Sequence, residues 1–599
     1  MPVFLVQTEP GARIVKGSDL STNVQTKPAD EGRSETRSTW IVSLLTLTSR
    51  FLGFARLIIL VQMFSSLRWA SDAFIFAFRI PNLFRNLLGE GALSAAFIPS
   101  FVKTEQSEGK GSAGVLGSQA LTALGLLGSL LAVLGIAVCL LIDSVAGNGN
   151  EELSLALRLT ALLFPFMPLV CMAALLGGML QSLRRFALPA ALSIILNLGF
   201  LAGFAYVYWW QCGGDLANLR AEASTYAIAV FILAAGVVEV LVQLPALVAA
   251  GVLVRPALSF NHPGLRTTIK AFLPVAVGLG LVQINAFFDS LIAGWLSLSS
   301  PGAVTYLEIA LRFMQLPLGV FGVAIATVSF PSLAASAAAG DQLQFTKRLI
   351  RALRMSLFLI LPASAVLIAM ADPIIRLTCQ RPDLEFSHAA VYRSSLALIF
   401  YAAGLGFYSL RQILVRAFYA RGEYTFPVKV AAAMVLLNLV LNLILIHCPD
   451  LYRLNQPGYY RHWNLSDANF PGGISLGEAG LALATMLTAI VDSAILGFAL
   501  WKRMRPILIL QDGKAEFIKL GHTAARMLVA AVALGILTWL YRKSIPYDPG
   551  LVRMLQRAVI PCILAGGTFY IIGAIMPLPE MGEFIFSQLR KKGKIAKED

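Results

Sequence analysis

The chain has 599 residues, 57% of them hydrophobic and only 14% charged, with a mean hydropathy of +0.73. Soluble domains carry about 25% charged residues, so the composition excludes them and describes a polytopic membrane protein. The formal net charge of +15 is the excess expected of cytoplasmic loops. No nucleic-acid-binding motif accompanies it.

Residues 1–39 are polar, of mixed charge and without an apolar signal-peptide core. They read as a disordered cytoplasmic tail. Apolar runs of about 20 residues then read as spanning helices. Fourteen are expected, at 40–64, 70–101, 117–142, 155–182, 186–209, 223–251, 268–296, 303–336, 348–371, 389–419, 424–447, 474–501, 523–541 and 557–577. The class is therefore all-α, and residues 578–599 read as a basic cytoplasmic tail.

The first span holds Arg50 and Arg56 within SRFLGFAR (49–56). Six residues put them about 120° apart on a helix, with Gly53 between them as a point of bending. Arg56 lies too deep in the run for easy snorkelling and points to a cavity; snorkelling to the headgroups is the bland alternative.

The second span carries Asp72, Arg79, Asn82, Arg85, Asn86 and Glu90. Each ionised group at bilayer depth costs several kcal/mol unless it meets a partner or a wet cavity. Pro81, Gly89 and Gly91 loosen the same helix. A broken, charged span is expected to line a pathway. On an ideal helix Asp72, Arg79, Asn86 and Glu90 share a stripe within about 40°, and Arg85 falls roughly 140° away. Periodicity leaves open which of them faces a cavity.

The eighth span holds Arg312 just before Pro317, a second candidate hinge. Several arginines with few carboxylates suit an anionic substrate, and the planar guanidinium matches phosphate oxygens. Asp72 and Glu90 as structural counter-ions are the alternative. Asp289 in span seven, Asn438 and Asn442 in span eleven, and Thr485 and Thr488 in span twelve are oxygen ligands of the type a hard cation prefers. Buried amides also glue helices together without any ion.

Charge fixes the orientation. With the N-terminus cytoplasmic, the inner loops hold Lys103, Lys110, Arg184, Arg185, Arg255, Arg266, Arg348, Arg351, Lys502 and Arg503. The outer loops 143–154 and 297–302 hold no Lys or Arg, as the positive-inside rule requires. The segment 542–557 breaks the rule.

The chain also repeats itself weakly. FIPSF (97–101) is echoed by SFPSL (329–333), and the basic turn before 186 by the one before 424. Two six-helix lobes follow, 40–251 and 252–501 (helices within 268–501), with 502–577 as an extra helical pair. A site between repeated lobes is a common transporter plan.

No engine for another chemistry is present. GxxxxGK[ST], HExxH and GxSxG are all missing, and the cysteines show no paired spacing. An enzyme is not expected, and neither is a cofactor.

SRFLGFARLIIL (49–60), SDAFIFAFRIPNLFRNLLGEGALSAAFIPSF (71–101) and ALRFMQLPLGVFGVAIATVSFPSL (310–333) closely resemble the MurJ/MviN family of lipid II flippases. The resemblance runs over 40–577. It implies the fold of the multidrug/oligosaccharidyl-lipid/polysaccharide exporters, two six-helix lobes in a V around a cationic cavity. The last two helices are implied to form a groove for the lipid tail.

The implied substrate is lipid II, the undecaprenyl-pyrophosphate-linked disaccharide-pentapeptide of peptidoglycan synthesis. It would be moved by alternating access across the inner membrane, with both termini cytoplasmic. The implied cavity residues are Arg50, Arg56, Arg85, Arg312 and Asp72, which favours Arg85 over the ideal-stripe candidates Arg79 and Glu90. A sodium site is implied at Asp289, Asn438, Asn442 and Thr485, with one formal charge fewer than in members that have Asp where this chain has Asn442. Leu57 and Leu311 stand where some members are acidic, which makes the cavity more cationic. Besides lipid II, membrane lipids and cell-wall synthesis proteins are the expected partners.

Competing readings are a cation-coupled drug exporter of the same superfamily, a scaffold for cell-wall enzymes docking through 1–39, and a membrane glycosyltransferase. The arginines oppose the first, and the last lacks acidic catalytic motifs.

Overall fold

The computed structural model describes residues 29–84, 94–147, 149–299, 301–379, 388–447, 476–510, 513–544 and a few positions between 556 and 564. Arg85, Asn86, Gly89, Glu90, Gly91, the loop 448–473, almost all of the expected span 557–577 and the tail 578–599 lie outside these residues.

The described chain is almost entirely helical. The first half holds α1 (Ala29–Met63), α2 (Arg68–Phe84), α3 (Ser94–Ala146), α4 (Glu151–Leu163), α5 (Phe166–Ser182), α6 (Ala187–Tyr206), α7 (Ala221–Leu241) and the short α8 (Gln243–Val248). The second holds α9 (Pro263–Ser299), α10 (Ala303–Pro317), α11 (Ala324–Ala338), α12 (Gln342–Cys379), α13 (His388–Ala420), α14 (Thr425–Leu445), α15 (Glu478–Leu510) and α16 (Gly513–Ser544). Among the described residues, ten helical stretches are long and apolar enough to cross a membrane.

Several boundaries differ from the expected ones. Helix α1 begins at Ala29, inside the stretch expected to be a disordered tail. Helix α2 continues through Pro81 to Phe84. The FIPSF run belongs to α3, whose two parts meet at Gly109, where φ is 86°. Only glycine takes that conformation without strain.

Helix pairing repeats between the halves. In the first, α1 packs on α6, α6 on α7, α2 on α4, α3 on α5, and α5 on α7. In the second, α9 packs on α14, α14 on α15, α10 on α13, α12 on α13, and α13 on α15. Each pair of the first set has its counterpart in the second at the same place in chain order. Helix α16 lies outside this scheme and packs along α12.

The two halves meet where α2 touches α9 and α10, and where α3 touches α9. An extended strand of chain, 252–262, joins them along α3. Ser118 Oγ accepts from Arg255 N at 3.0 Å, Thr122 Oγ1 from Ala257 N at 2.9 Å, and Gln119 Oε1 from His262 N at 3.0 Å. Unpaired backbone donors near the bilayer are thus satisfied by one polar face of α3.

The outer surface is a lipid solvent's surface. Leu126, Leu130, Val133, Leu134 and Leu141 of α3 are all exposed, as are Trp209 and Trp210 at the end of α6. Tryptophans of this kind mark the level of the headgroups. They sit at the opposite end of the bundle from Arg184 and Arg185. That end is called the far face below, and the arginine-rich end the basic face.

Candidate functional site

A cavity of about 720 Å³ lies between the halves, walled by α1, α2, α6, α9 and α10. At about 30 Å³ per water molecule it has room for roughly two dozen waters. Its size falls within the range of ligand pockets, about 300–1,000 Å³. Lining residues near the basic face, such as Arg50 and Leu316, are exposed, whereas Leu60 and Phe74 at the other end are buried. The cavity therefore opens toward the basic face.

Among the described residues its charged lining consists of Arg50, Arg56, Arg79 and Arg312 against the single carboxylate of Glu308. Each arginine is placed by its local sequence. Arg50 lies against Gly319, where a Cβ would overlap the guanidinium. Gly319 belongs to a π-helical turn, 318–323, that follows Pro317 and connects α10 to α11. Pro317 has no N–H to continue the α-helical ladder, and single π turns of this type recur at functional sites.

The Arg56 guanidinium sits 4.1 Å from the Phe200 ring centroid and 5.6 Å from that of Phe78. Such cation–π contacts hold a charge at modest desolvation cost. Arg79 Nη2 donates to Glu308 Oε2 at 2.7 Å and its Nη1 to Ser290 Oγ at 2.6 Å. Arg312 Nε donates to Glu308 Oε1 at 2.9 Å, one helical turn along α10.

Four guanidinium groups facing one carboxylate leave a net positive lining. Several kcal/mol per ion would be needed to hold it in hydrocarbon, so the chamber is wet. It suits an anion with more than one charged oxygen.

Asp72, expected among the cavity groups, does not line the cavity. It shares a face of α2 with Arg79 but lies about 10 Å nearer the far face, since seven residues rise that much. There its buried carboxylate accepts from Gly302 N at 2.6 Å and Thr305 N at 2.8 Å. It also accepts from Thr305 Oγ1 and from Ser297 Oγ, the latter at 2.6 Å. A side chain of α2 thus caps the N-terminus of α10, where the backbone donors need an acceptor and the helix dipole favours an anion.

Around this cap the far end is plugged by contacts between the halves. Ser71 Oγ meets Thr305 Oγ1 at 3.0 Å, and Arg68 Nη1 donates to Tyr306 Oη at 3.1 Å. Within the second half, Arg393 backs this contact, stacking 4.9 Å from the Tyr306 ring while pairing with Glu478. Gly302, at φ 105°, lets the chain turn over Tyr306, whose ring leaves no space for a Cβ.

The second constellation is also brought together, by α9, α14 and α15. Asn442 Nδ2 donates to Asp289 Oδ1 at 2.6 Å and to Asn438 Oδ1 at 3.0 Å. Asn438 Nδ2 reaches Thr488 Oγ1 at 3.4 Å, and Thr485 donates back to Leu481 O. The Asn442 amide nitrogen thus takes the place in which a cation would gather the two oxygens. A half-turn of that amide would aim its now unpartnered buried Oδ1 at both of them and would demand a cation instead. As oriented, the group is a hydrogen-bonded joint between α9 and α14.

Of the expected hinges, Gly53 faces the Asn197 side chain within α1, and Pro317 marks the π turn. Sequence reasoning missed Glu308. Its signal was present, because Glu308 and Arg312 are i,i+4 neighbours. The plug residues Arg68, Tyr306, Arg393 and Glu478 carried no such signal.

Comparison with known proteins agrees with this architecture. Residues 63–455 match the model of the family described as Lipid II flippase MurJ. The probable lipid II flippase MurJ of Vibrio cholerae serotype O1 is 30% identical over 468 residues, covering 76% of this chain and 81% of its own. That of Rhizobium meliloti (strain 1021) is 32% identical over 412 residues, covering 67% and 73%. A solved structure of lipid II flippase MurJ in an inward closed conformation superposes with a TM-score of 0.67 at 21% identity, covering 89% of this chain and 98% of its own. An inward-facing multidrug resistance MATE family transporter of the MOP superfamily superposes with a TM-score of 0.56 at 15% identity, covering 77% and 97%. These structural likenesses speak to the fold; the sequence matches speak to descent, and by them the chain belongs to the lipid II flippase MurJ family.

Proposed function

We propose that the chain moves lipid II from the cytoplasmic to the outer leaflet of the bacterial inner membrane, as a transporter and not an enzyme, for peptidoglycan synthesis. The observation that carries the proposal is the cavity lining, among the described residues, of four arginines against one carboxylate. Lipid II presents a diphosphate between its lipid tail and its sugar-peptide head. Guanidinium groups replace the hydration that this anion loses on entering the bilayer.

In this reading the basic face is cytoplasmic and the far face lies outside, by the positive-inside rule. The head group enters from the basic face and pairs with Arg50, Arg56 and Arg312, and with Arg85 where the family resemblance places it. The tail stays in lipid, and the helix pair that the family resemblance implies for it, of which α16 packs along α12, is its candidate path. The plug around Asp72 then parts, the halves rock, and the head is released outside. Gly53 and the Pro317 turn are the points at which the helices would bend. The Asn442 amide, as oriented, bridges Asp289 and Asn438, and no step in this sequence is assigned to sodium.

The test is lipid II translocation in reconstituted vesicles. Charge-assisted hydrogen bonds contribute about 1.5–3 kcal/mol each, so Arg56→Ala and Arg312→Ala should each slow transport at least about tenfold while still inserting. Wild-type rates in both variants would reject the cationic-cavity mechanism.

A further inference from the structure

Glu308 stands apart from the other lining groups, since a carboxylate in an anion-binding chamber works against its own ligand. Its two oxygens face different guanidiniums: Oε2 accepts from Arg79 at 2.7 Å, and Oε1 from Arg312 at 2.9 Å. Two phosphate oxygens would engage the same pair in the same way. The two arginines come from opposite halves of the protein, Arg79 from α2 and Arg312 from α10.

The carboxylate is also less accessible than the groups it holds. The Glu308 side chain is 9% exposed, Arg79 22% and Arg312 37%. Arg312 engages it through Nε, and that bond leaves its two terminal nitrogens for an incoming anion. Ser290 Oγ fixes Arg79 from a third helix, α9. The arginines are therefore held in position but remain reachable from the chamber.

We infer that Glu308 is a resident counter-anion: it holds Arg79 and Arg312 between substrates, yields them to the diphosphate, and thereby sets which anions the cavity accepts. The inference rests on the proposed lipid II reading and adds a positioning and specificity residue to it. An incoming group must outcompete a carboxylate that is already docked on both arginines. A diphosphate brings more oxygens and more charge than that carboxylate, whereas a phosphate monoester gains less. Once displaced, Glu308 lies beside a bound anion and repels it, which limits affinity and promotes release. No covalent step or net proton transfer is involved.

The experiment uses the full chain in vesicles with lipid II, and inorganic pyrophosphate and inorganic phosphate as competing probes. Glu308→Gln keeps the shape and removes the charge. It should lower KM for lipid II by about tenfold, which corresponds to 1.4 kcal/mol, and lower kcat as release slows. Phosphate should inhibit this variant nearly as well as pyrophosphate, whereas the wild type should prefer pyrophosphate. Glu308→Asp, one methylene shorter and still charged, should keep the wild-type preference and covers the case in which the Gln variant fails to assemble.

An unchanged or raised KM in Glu308→Gln, with the wild-type preference for pyrophosphate retained, would overturn the inference while leaving the flippase reading intact. Loss of that preference in Glu308→Asp would overturn it as well. Failure of the wild type itself to move lipid II, or no loss on Arg312→Ala, would instead sink the reading on which it rests.

Discussion

Removing the Asp72 carboxylate should open the far end of the protein. In the structure it accepts from two backbone donors and two hydroxyls, all buried between α2, α9 and α10. Loss of a helix N-cap costs about 1 kcal/mol, within a range of about 0.5–2. A buried donor left without an acceptor adds about 1–3 kcal/mol. The two backbone donors cannot turn away, whereas the hydroxyls of Ser297 and Thr305 can find carbonyls on their own helices. Asp72→Ala should therefore destabilise the closed far end by about 2–4 kcal/mol, a shift of roughly 30- to 1,000-fold in the open–closed equilibrium.

Asp72→Asn keeps one acceptor and should fall nearer 1–2 kcal/mol, on the order of the cap alone. Amide hydrogen exchange at 301–306 reads the effect directly. Protection should fall in the order wild type, Asn, Ala. Spin labels placed on the far ends of α2 and α10 should report a longer mean distance in the Ala variant. Unchanged protection at Gly302 and Thr305 in Asp72→Ala would refute the idea that this carboxylate holds the plug shut.

Two further outcomes are expected. Gly319→Ala should displace the Arg50 guanidinium from its seat on the π turn, since a methyl there overlaps it; transport should fall several-fold with thermal stability little changed, and equal transport rates in the two proteins would refute that placement of Arg50. Exchanging sodium for potassium should leave both melting temperature and transport unaltered, because the Asn442 amide bridges Asp289 and Asn438 without an ion; a sodium-dependent rise in melting temperature that Asp289→Asn abolishes would show that the amide is turned the other way.

Much of this protein could be read before any coordinates. The cost of placing Arg50, Arg56, Arg79 and Arg312 in hydrocarbon is a local property of the chain, and it pointed to a wet chamber. The apolar runs gave the helices, and the loop charges gave an orientation, for the same reason: solvation is decided residue by residue. Motif resemblance then supplied the family without any need for geometry.

What needed the fold was every relation between distant segments. Asp72 and Arg79 share one stripe of α2, and periodicity reports direction around a helix but not what lies opposite at each depth. Thus Arg79 faces Glu308, 229 positions away in sequence, whereas Asp72 caps α10. The same limit hid the role of Glu308, visible in sequence only as a neighbour of Arg312. It also hid the meeting of Asp289 with Asn438 and Asn442, because these side chains come from helices far apart in the chain. Hydrophobicity sums along a chain, but hydrogen bonds and ion pairs depend on ångström-scale approach between helices, and only the packed structure sets that.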